Sequence, residues 1–376
     1  MAPTKDKPAI SVVHASARLG SLRVDAYNAE LRDGEGFIGD RASNRAFRAV
    51  IDEWRERLRD VGHDPFGDTP TTELSKKKLD RLLMEGDPES AGVIQGAMEA
   101  FSSELSTVIT RFLKLKEWRP IQRIVVGGGL RASRVGELVI GRSSVLLKAA
   151  GHDIDLVPIQ HHPDHAALVG AAYLAPDGLL TGHGGYLAVD IGGSNIRAGV
   201  VELHPRKEPD PGKSVVGEME LWRHADETPS PKRQQAVERI GAMLERLIGW
   251  ADKNELALAP FVGIACPGLI AEDGHIDRGG QNLPGNWESN RFNLPQAIRE
   301  MIPKIHGGTS IVVMHNDAVV QGLSQTSLCQ DVEHWGVLTI GTGLGNAKFS
   351  NAVEVPARTG KRTGSRTGRR AVTKRS

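Results

Sequence analysis

The chain has 376 residues, 47 Lys and Arg against 46 Asp and Glu, and 39 % apolar content, which is room for roughly two domains with cores of their own. Glycine and proline are spread without a collagen-like or low-complexity period, which excludes bulk disorder, and the longest apolar stretches, such as 166–175, are about half of the roughly 20 residues a bilayer span needs. The start MAPTKDKP has no apolar h-region and only Cys266 and Cys329 occur, so the expectation is a soluble cytoplasmic protein without a disulfide framework or a four-cysteine zinc site.

Residues 1–40 carry no readable periodicity. Over 41–61, Phe47, Val50, Ile51, Trp54, Leu58 and Val61 recur at helical spacing and Gly62 offers a stop, which predicts a helix with one buried stripe. The stretch 63–70 reads as a loop, and a second helix follows over about 72–84. In the third helix Asp87 is the N-cap and Pro88 sits at the first position, where its missing N–H costs nothing. Ile94, Ala97, Met98, Phe101, Leu105, Val108, Ile109 and Phe112 then make a long apolar face that ends before Pro120. From there strands, glycine turns and helices alternate. A strand at 124–126 runs into Gly127, Gly128 and Gly129, a helix at 134–151 feeds a strand at 154–158, and a turn at 161–164 leads to a small-residue helix over 166–174. A linker at 176–185 precedes a hairpin-like pair, 186–191 and 196–203, and a Pro-rich loop, 205–213. A strand at 215–222, a helix at 231–253, strands at 260–265 and 310–314, a helix from Ala318 and a strand at 335–340 complete the α/β alternation. Residues 357–376 hold eight basic and no acidic residues, leaving 39 basic against 46 acidic elsewhere. The acidic body argues against an extended nucleic-acid groove; the tail reads as a disordered, solubilising segment, with nonspecific anionic contacts as its other reading.

Three glycine turns carry candidate chemistry. In LAVDIGGSNIRAGVVEL (187–203), Asp190 ends a strand, and Gly192, Gly193 and Ser194 would let backbone N–H groups approach a polyphosphate while Asp190 holds the accompanying Mg²⁺; alone, the stretch reads equally well as a hairpin turn. WGVLTIGTGLGNA (335–347) is a second such turn, with Gly341, Thr342, Gly343 and Gly345, and the bare turn at 127–129 would admit a flat adenine. IVVMHNDAVVQG (311–322) puts Asn316 and Asp317 at a strand's end, where a carboxylate can take a proton from an attacking hydroxyl; the plain alternative is a helix N-cap. Gly34, Gly36 and Gly39 match GxGxxG but follow no buried strand. His161, His162 and His165 read as a turn rather than a metal site, and Cys266 as packed.

DIGGSNIRAGV resembles the first phosphate motif of the ROK family of sugar kinases and repressors, within the hexokinase/actin-like ATPase superfamily. The segment 263–287 is similar to that family's CPG and NLPGW stretch, HNDA to its catalytic ENDA, and LTIGTGLGNA to its second phosphate loop. EGDPESAGVIQGAMEAFSSELSTVITRFL, RIVVGGGLRAS and DHAALVGAAYLAP resemble the family's C-terminal half yet come first, so the order is circularly permuted, with 176–185 joining the usual ends; the resemblance covers about 70–350. It implies an α/β, actin-like ATPase (ribonuclease-H-like) two-domain fold. Residues 41–160 with 311–350 would form the larger ATPase lobe and 161–310 the smaller lobe with the first phosphate motif; 1–40 is a segment of unclear structure and 351–376 a disordered basic tail.

The implied activity is glucokinase-like: transfer of the ATP γ-phosphoryl group to a hexose or N-acetylhexosamine hydroxyl, with Asp317 as general base. Asn316, Asn282 and Gly285 would lie on the sugar side. Asp190, Gly192, Gly193, Ser194, Arg197, Gly341, Thr342, Gly343, Gly127 and Gly128 would surround Mg-ATP, with Asp190 serving Mg²⁺ through the nucleotide. The family's Glu-His sugar contact and Cys-rich zinc site are missing, so no zinc is expected, and His315 replaces the Glu of ENDA. Replacement sugar contacts would come from around Glu35 and Asp40. These departures raise the alternative of a weak or inactive sugar- or nucleotide-sensing regulator, although the N-terminal helices show no paired turn and recognition helix, which disfavours a repressor. The expected partners are a sugar and ATP, with a homodimer left open, no membrane, and nucleic acid only nonspecifically through the basic tail.

Overall fold

Runs such as IVV at 124–126 and YLAV at 186–189 are apolar on both faces, the pattern of strands covered from both sides. In the computed structural model, which describes residues 12–34, 36–203 and 211–352, these runs enter two separate sheets. The six-stranded sheet has the spatial order Arg18–Leu19, Leu22–Tyr27, Leu344–Asn351, His334–Ile340, Arg123–Gly127 and Asp155–Pro158. The five-stranded sheet has the order Ile311–Asn316, Leu258–Cys266, Gly185–Ile191, Ile196–Glu202 and Val215–Trp222. The expectations placed on Glu35, on the loop at 205–210 and on the tail from 353 lie outside the described residues.

The α-helices are α1 (Asn44–Arg59), α2 (Lys76–Glu85), α3 (Pro88–Leu113), α4 (Arg134–Ala149), α5 (Pro163–Gly170), α6 (Arg233–Lys253), α7 (Leu294–Met301) and α8 (Asp317–Leu323). Alternation along the strands sorts them into layers. Ile124, Val126, Leu338 and Ile340 point into a core shared with α1 to α4, whereas Val125 and Val337 point the other way, onto α5 and α8. Tyr186, Ala188 and Phe261 meet α5 and α8 from the second sheet, and Leu187, Val189, Val262 and Ile264 pack under α6 and α7. The short helices α5 and α8 therefore fill the space between the sheets. They do so at close range: a Cβ on Gly170 would lie 1.8 Å from the Val320 carbonyl oxygen, and one on Gly322 2.7 Å from the Phe349 ring.

α3 forms as expected. Asp87 accepts from the N–H groups of Glu89 and Ser90 at 3.0 and 2.9 Å, and the apolar face from Ile94 to Phe112 is buried, with Met98 partly so. α1 departs from its expected stripe. It stops at Arg59, leaving Val61 in a turn and exposed, and Trp54 sits near the surface. Phe47, Ile51 and Arg55 share the inward face at intervals of four residues. Arg55 is fully buried, paired with Asp64 at 2.9 Å and donating to Thr71 Oγ1 at 2.7 Å and the Gly67 carbonyl at 2.9 Å, so this arginine holds the 63–70 loop on the helix.

Two further segments take these places in the sheets. The segment 311–350 does not stay together: Ile311–Asn316 runs parallel to Leu258–Cys266 in the five-stranded sheet, because the crossover through α7 brings the chain back in the same direction, while His334–Ile340 joins the other sheet. The opening segment, unreadable in sequence, supplies Leu22–Tyr27, which pairs antiparallel with Leu344–Asn351.

Candidate active site

Leu258–Cys266 lies between Gly185–Ile191 and Ile311–Asn316, parallel to both, with Ala265 in register with Asp190 on one side and His315 on the other. Asp190 and Asp317 therefore leave the carboxyl ends of parallel strands two strand spacings apart, about 10 Å between backbones, and their side chains turn into one cavity. That cavity, of about 830 Å³, is also bounded by Gly192, Gly193, Ser194, Arg197, Gly128, Asn282, Gly341, Thr342 and Gly343.

The first turn is closed by Gly192 N–H donating to Asn195 O at 2.8 Å and is backed by His224 Nε2, 2.9 Å from Gly192 O. The second is closed by Gly341 N–H to Gly343 O at 2.9 Å and anchored on α1 by Asn44 N–H to Gly341 O at 3.0 Å. The two turns touch: Ser194 Oγ lies 3.1 Å from Thr342 Oγ1, across 148 positions of sequence. Gly128 packs the third turn onto the second. Its φ is +81° and a Cβ there would lie 2.4 Å from Ile340 O, so glycine is required. Gly193 abuts the 279–283 loop, where a Cβ would come within 3.1 Å of Asn282 Cβ.

Asp190 is 5 % exposed and its carboxyl is pushed up from the usual range by burial and by the charge of Asp164, more than Arg197 offsets. Arg197 reaches Asp164 at 2.6 Å and Asp190 at only 3.4 Å, and its buried Nε has no partner among the described residues. Asp317 opens α8, with Oδ1 accepting from Ala318 N–H at 2.9 Å, and burial together with the Asp190 charge raises its carboxyl to about 7. Two buried carboxyls, both raised and one of them by the charge of the other, mark a spot short of positive charge, which fits a divalent cation carried by phosphate; no group of three candidate metal ligands occurs among the described residues.

Three sequence-derived site residues stand elsewhere. Asn316 is the N-cap of α8, accepting from Ala318 and Val319 N–H at 3.0 and 3.2 Å and donating to Gly268 O at 2.9 Å, and it does not border the cavity. Gly285, at φ +80°, packs on the start of α6, where a Cβ would lie 2.7 Å from Arg233 N. Gly127 is still inside its strand, facing Ile159 and Gln321. Sequence reasoning also missed wall residues. Gln321 lies one helical turn after Asp317, with a buried Oε1 that has no partner among the described residues; the i, i+4 spacing was the available signal. Asn28 comes from the opening segment, held at φ +52° by Asn346, whose amide bonds both Ala29 N–H (2.9 Å) and Ala29 O (3.0 Å). Of the two residues weighed for replacement sugar contacts, Asp40 borders the cavity. His315 faces that opening segment: its ring meets Tyr27 edge-on at 5.3 Å and its Nε2 lies 3.3 Å from Ser16 O. Cys266 is buried, with its thiol pushed well up by burial, and Cys329 is likewise buried.

No protein-family model matches the chain. Among curated proteins it is similar to the polyphosphate glucokinase of Mycobacterium tuberculosis, 26 % identical over 171 residues, covering 45 % of this chain and 54 % of that protein. It is also similar to the polyphosphate glucokinase of Mycobacterium leprae, 26 % identical over 182 residues, 48 % of this chain and 47 % of that protein. The chain thus matches about half the length of these relatives. Solved structures that match in part include a candidate N-acetylmannosamine kinase from Listeria monocytogenes (22 % identity, TM-score 0.32, 45 % of this chain and 48 % of that one) and the ROK hexokinase of Thermus thermophilus (18 % identity, TM-score 0.30, the same coverage).

Proposed function

We propose that this chain is an ATP-dependent sugar kinase of the ROK type, with an actin-like fold in circularly permuted order, that moves the ATP γ-phosphoryl group to a hydroxyl of a hexose or N-acetylhexosamine. The observation that carries the reading is the meeting of Asp190 and Asp317 with the glycine turns at 192–194 and 341–343 on one cavity. Phosphoryl transfer asks a protein for positioning and charge management rather than covalent chemistry. Asp317 takes the proton of the attacking hydroxyl, and a carboxyl poised near 7 is matched to that task at neutral pH. The N–H groups of the two glycine turns receive phosphate oxygens, with the Ser194 and Thr342 hydroxyls exchanging their mutual bond for bonds to phosphate. A nucleotide-borne Mg²⁺, held by Asp190, would supply charge neutralisation on the transferring group. Asn282, across from Gly193, borders the acceptor side.

The test is ADP release from Mg-ATP with a panel of hexoses and N-acetylhexosamines, for the wild type beside Asp317→Asn. Turnover on at least one sugar, reduced about 10²- to 10⁴-fold in the variant, supports the reading; equal rates would remove Asp317 from the chemistry. Ligand-dependent shifts in melting temperature without turnover would favour the sensing alternative. Because the curated relatives are named polyphosphate glucokinases, inorganic polyphosphate is run beside ATP; turnover with it alone would change the donor and leave acceptor and base in place.

A further inference from the structure

Asn28 stands where Leu22–Tyr27 leaves the six-stranded sheet, half-buried on the cavity wall. Its backbone is fixed. The Asn28 N–H donates to Asn346 O at 2.9 Å, and the Asn346 amide holds both sides of Ala29 at 2.9 and 3.0 Å. The φ of +52° is a left-handed value that asparagine tolerates better than most side chains. The side chain has no such anchor: its amide makes no hydrogen bond among the described residues. The turn alone would be served as well by glycine, so the demand for φ does not account for an amide directed along the cavity wall.

The place of that amide is specific. A Cβ on Gly279 would lie 3.4 Å from Asn28 Nδ2 and 2.7 Å from Gly268 Cα, so the amide and two bare stretches of backbone close on one spot, and all three residues border the cavity. This spot belongs to the Asp317 side. Gly268 O accepts from Asn316 Nδ2 at 2.9 Å, which ties it to the N-cap of the helix that Asp317 opens, and Asn282 follows three residues after Gly279. The opening segment is held on the same hairpin by Tyr27 Oη, which donates to Ile270 O at 3.2 Å. A primary amide both donates and accepts, as a hydroxyl does. Glu30, two residues on, also borders the cavity and makes no ion pair among the described residues, so this wall disfavours a phosphate and suits a neutral, hydroxyl-rich ligand.

We propose that Asn28 is an acceptor-binding residue, its side-chain amide donating to one hydroxyl of the sugar and accepting from a neighbouring one beside Gly268 and Gly279. Naming the bound polyol as the acceptor rests on the kinase reading; binding itself requires no turnover. The fixed turn sets the amide in place before the sugar arrives, which limits the ordering cost of binding.

Calorimetric titration of the hexose and N-acetylhexosamine panel, with and without a non-hydrolysable ATP analogue, tests this on the wild type, Asn28→Gly and Asn28→Asp, beside KM values for sugar and for ATP. Asn28→Gly keeps the left-handed turn and removes the amide. It is expected to weaken the best wild-type sugar about 10-fold, the loss of two neutral hydrogen bonds, and to leave the ATP analogue within about 3-fold and the melting temperature unchanged. Asn28→Asp keeps the shape but loses both N–H donors, and is expected to alter the order of preference among the sugars. Should Asn28→Gly fail to fold, Asn28→Asp decides by that order. A wild type that binds no sugar of the panel overturns the assignment, as does a folded variant with wild-type sugar affinity and preference, or one weakened equally for sugar and nucleotide. The kinase reading fails separately: sugar bound through Asn28 but never phosphorylated sinks that reading alone. Turnover with an unaltered sugar KM in Asn28→Gly sinks the role of Asn28 alone.

Discussion

Asp317 combines two roles that pull in opposite directions. As the first residue of α8 its carboxylate is favoured by the helix N-terminus and by the Ala318 N–H, yet burial and Asp190 win and raise it to about 7. The folded state therefore binds a proton that the unfolded chain has released by pH 5. The contribution of this group to stability is complete below about pH 4 and is lost as pH rises through 7. Carbon-13 titration of the aspartate carboxyls in the unliganded protein should find one group with a midpoint near 7, and Asp190→Asn should move it to lower pH, because the charge of Asp190 is the second cause of the shift. A midpoint that ignores Asp190 would mean the two carboxylates do not sense each other. The same residue shows what sequence could convey: HNDA marked Asp317 for chemistry and Asn316 with it, but only the strand-to-helix geometry reveals that the Asn316 carbonyl oxygen caps α8 while its amide nitrogen donates to Gly268 O. A cap and a ligand residue are spelled alike, and what tells them apart is where the side chain's bonds go.

Glycines separate helices from turns at the level of single elements. In α4, Gly141 has no neighbour within 4 Å of a Cβ, so Gly141→Ala should stabilise the fold by about 0.5–1 kcal/mol, read as a raised melting temperature. Gly136 in the same helix is a different case, because its Cβ would lie 1.9 Å from Leu130 O; Gly136→Ala should destabilise by more than 2 kcal/mol or fail to fold. Equal effects of the two substitutions would contradict the close fit of α4 against the 129–132 turn. Element existence was legible where a strong period ran long, as in α3, and less so where one polar residue held a core position. Arg55 broke the apolar stripe of α1 because its ion pair with Asp64 is closed by a loop, and no helical period records a partner nine residues on.

At the scale of the whole molecule, the opening segment straps the two sheets together. Leu22–Tyr27 belongs to the six-stranded sheet, while Ala15 N–H donates to Met314 O at 2.9 Å and His14 N–H to Glu272 O at 3.0 Å on the five-stranded side. This arrangement was invisible in sequence because its register depends on a distant partner. Asp25 looks like a polar interruption of a short strand until it is set against Lys348 and Ser350, which satisfy it in a nearly closed interior. The strap also accounts for the histidine in HNDA. His315 Nδ1 accepts from Asn316 N–H at 2.7 Å, so a neutral ring must carry its proton on Nε2, facing Ser16 O. Burial lowers this imidazole to about 4. The stability it provides is complete above about pH 6.5 and is lost as pH falls toward 4, since the unfolded chain takes up a proton that the folded protein refuses. Wild type should therefore exceed His315→Leu in stability at pH 7.5, with the gap shrinking by on the order of 2 kcal/mol at pH 5, measured from urea midpoints. A gap that stays constant between the two pH values would show that His315 is not held neutral, and the strap would then owe nothing to the residue that distinguishes this HNDA from the ENDA it resembles.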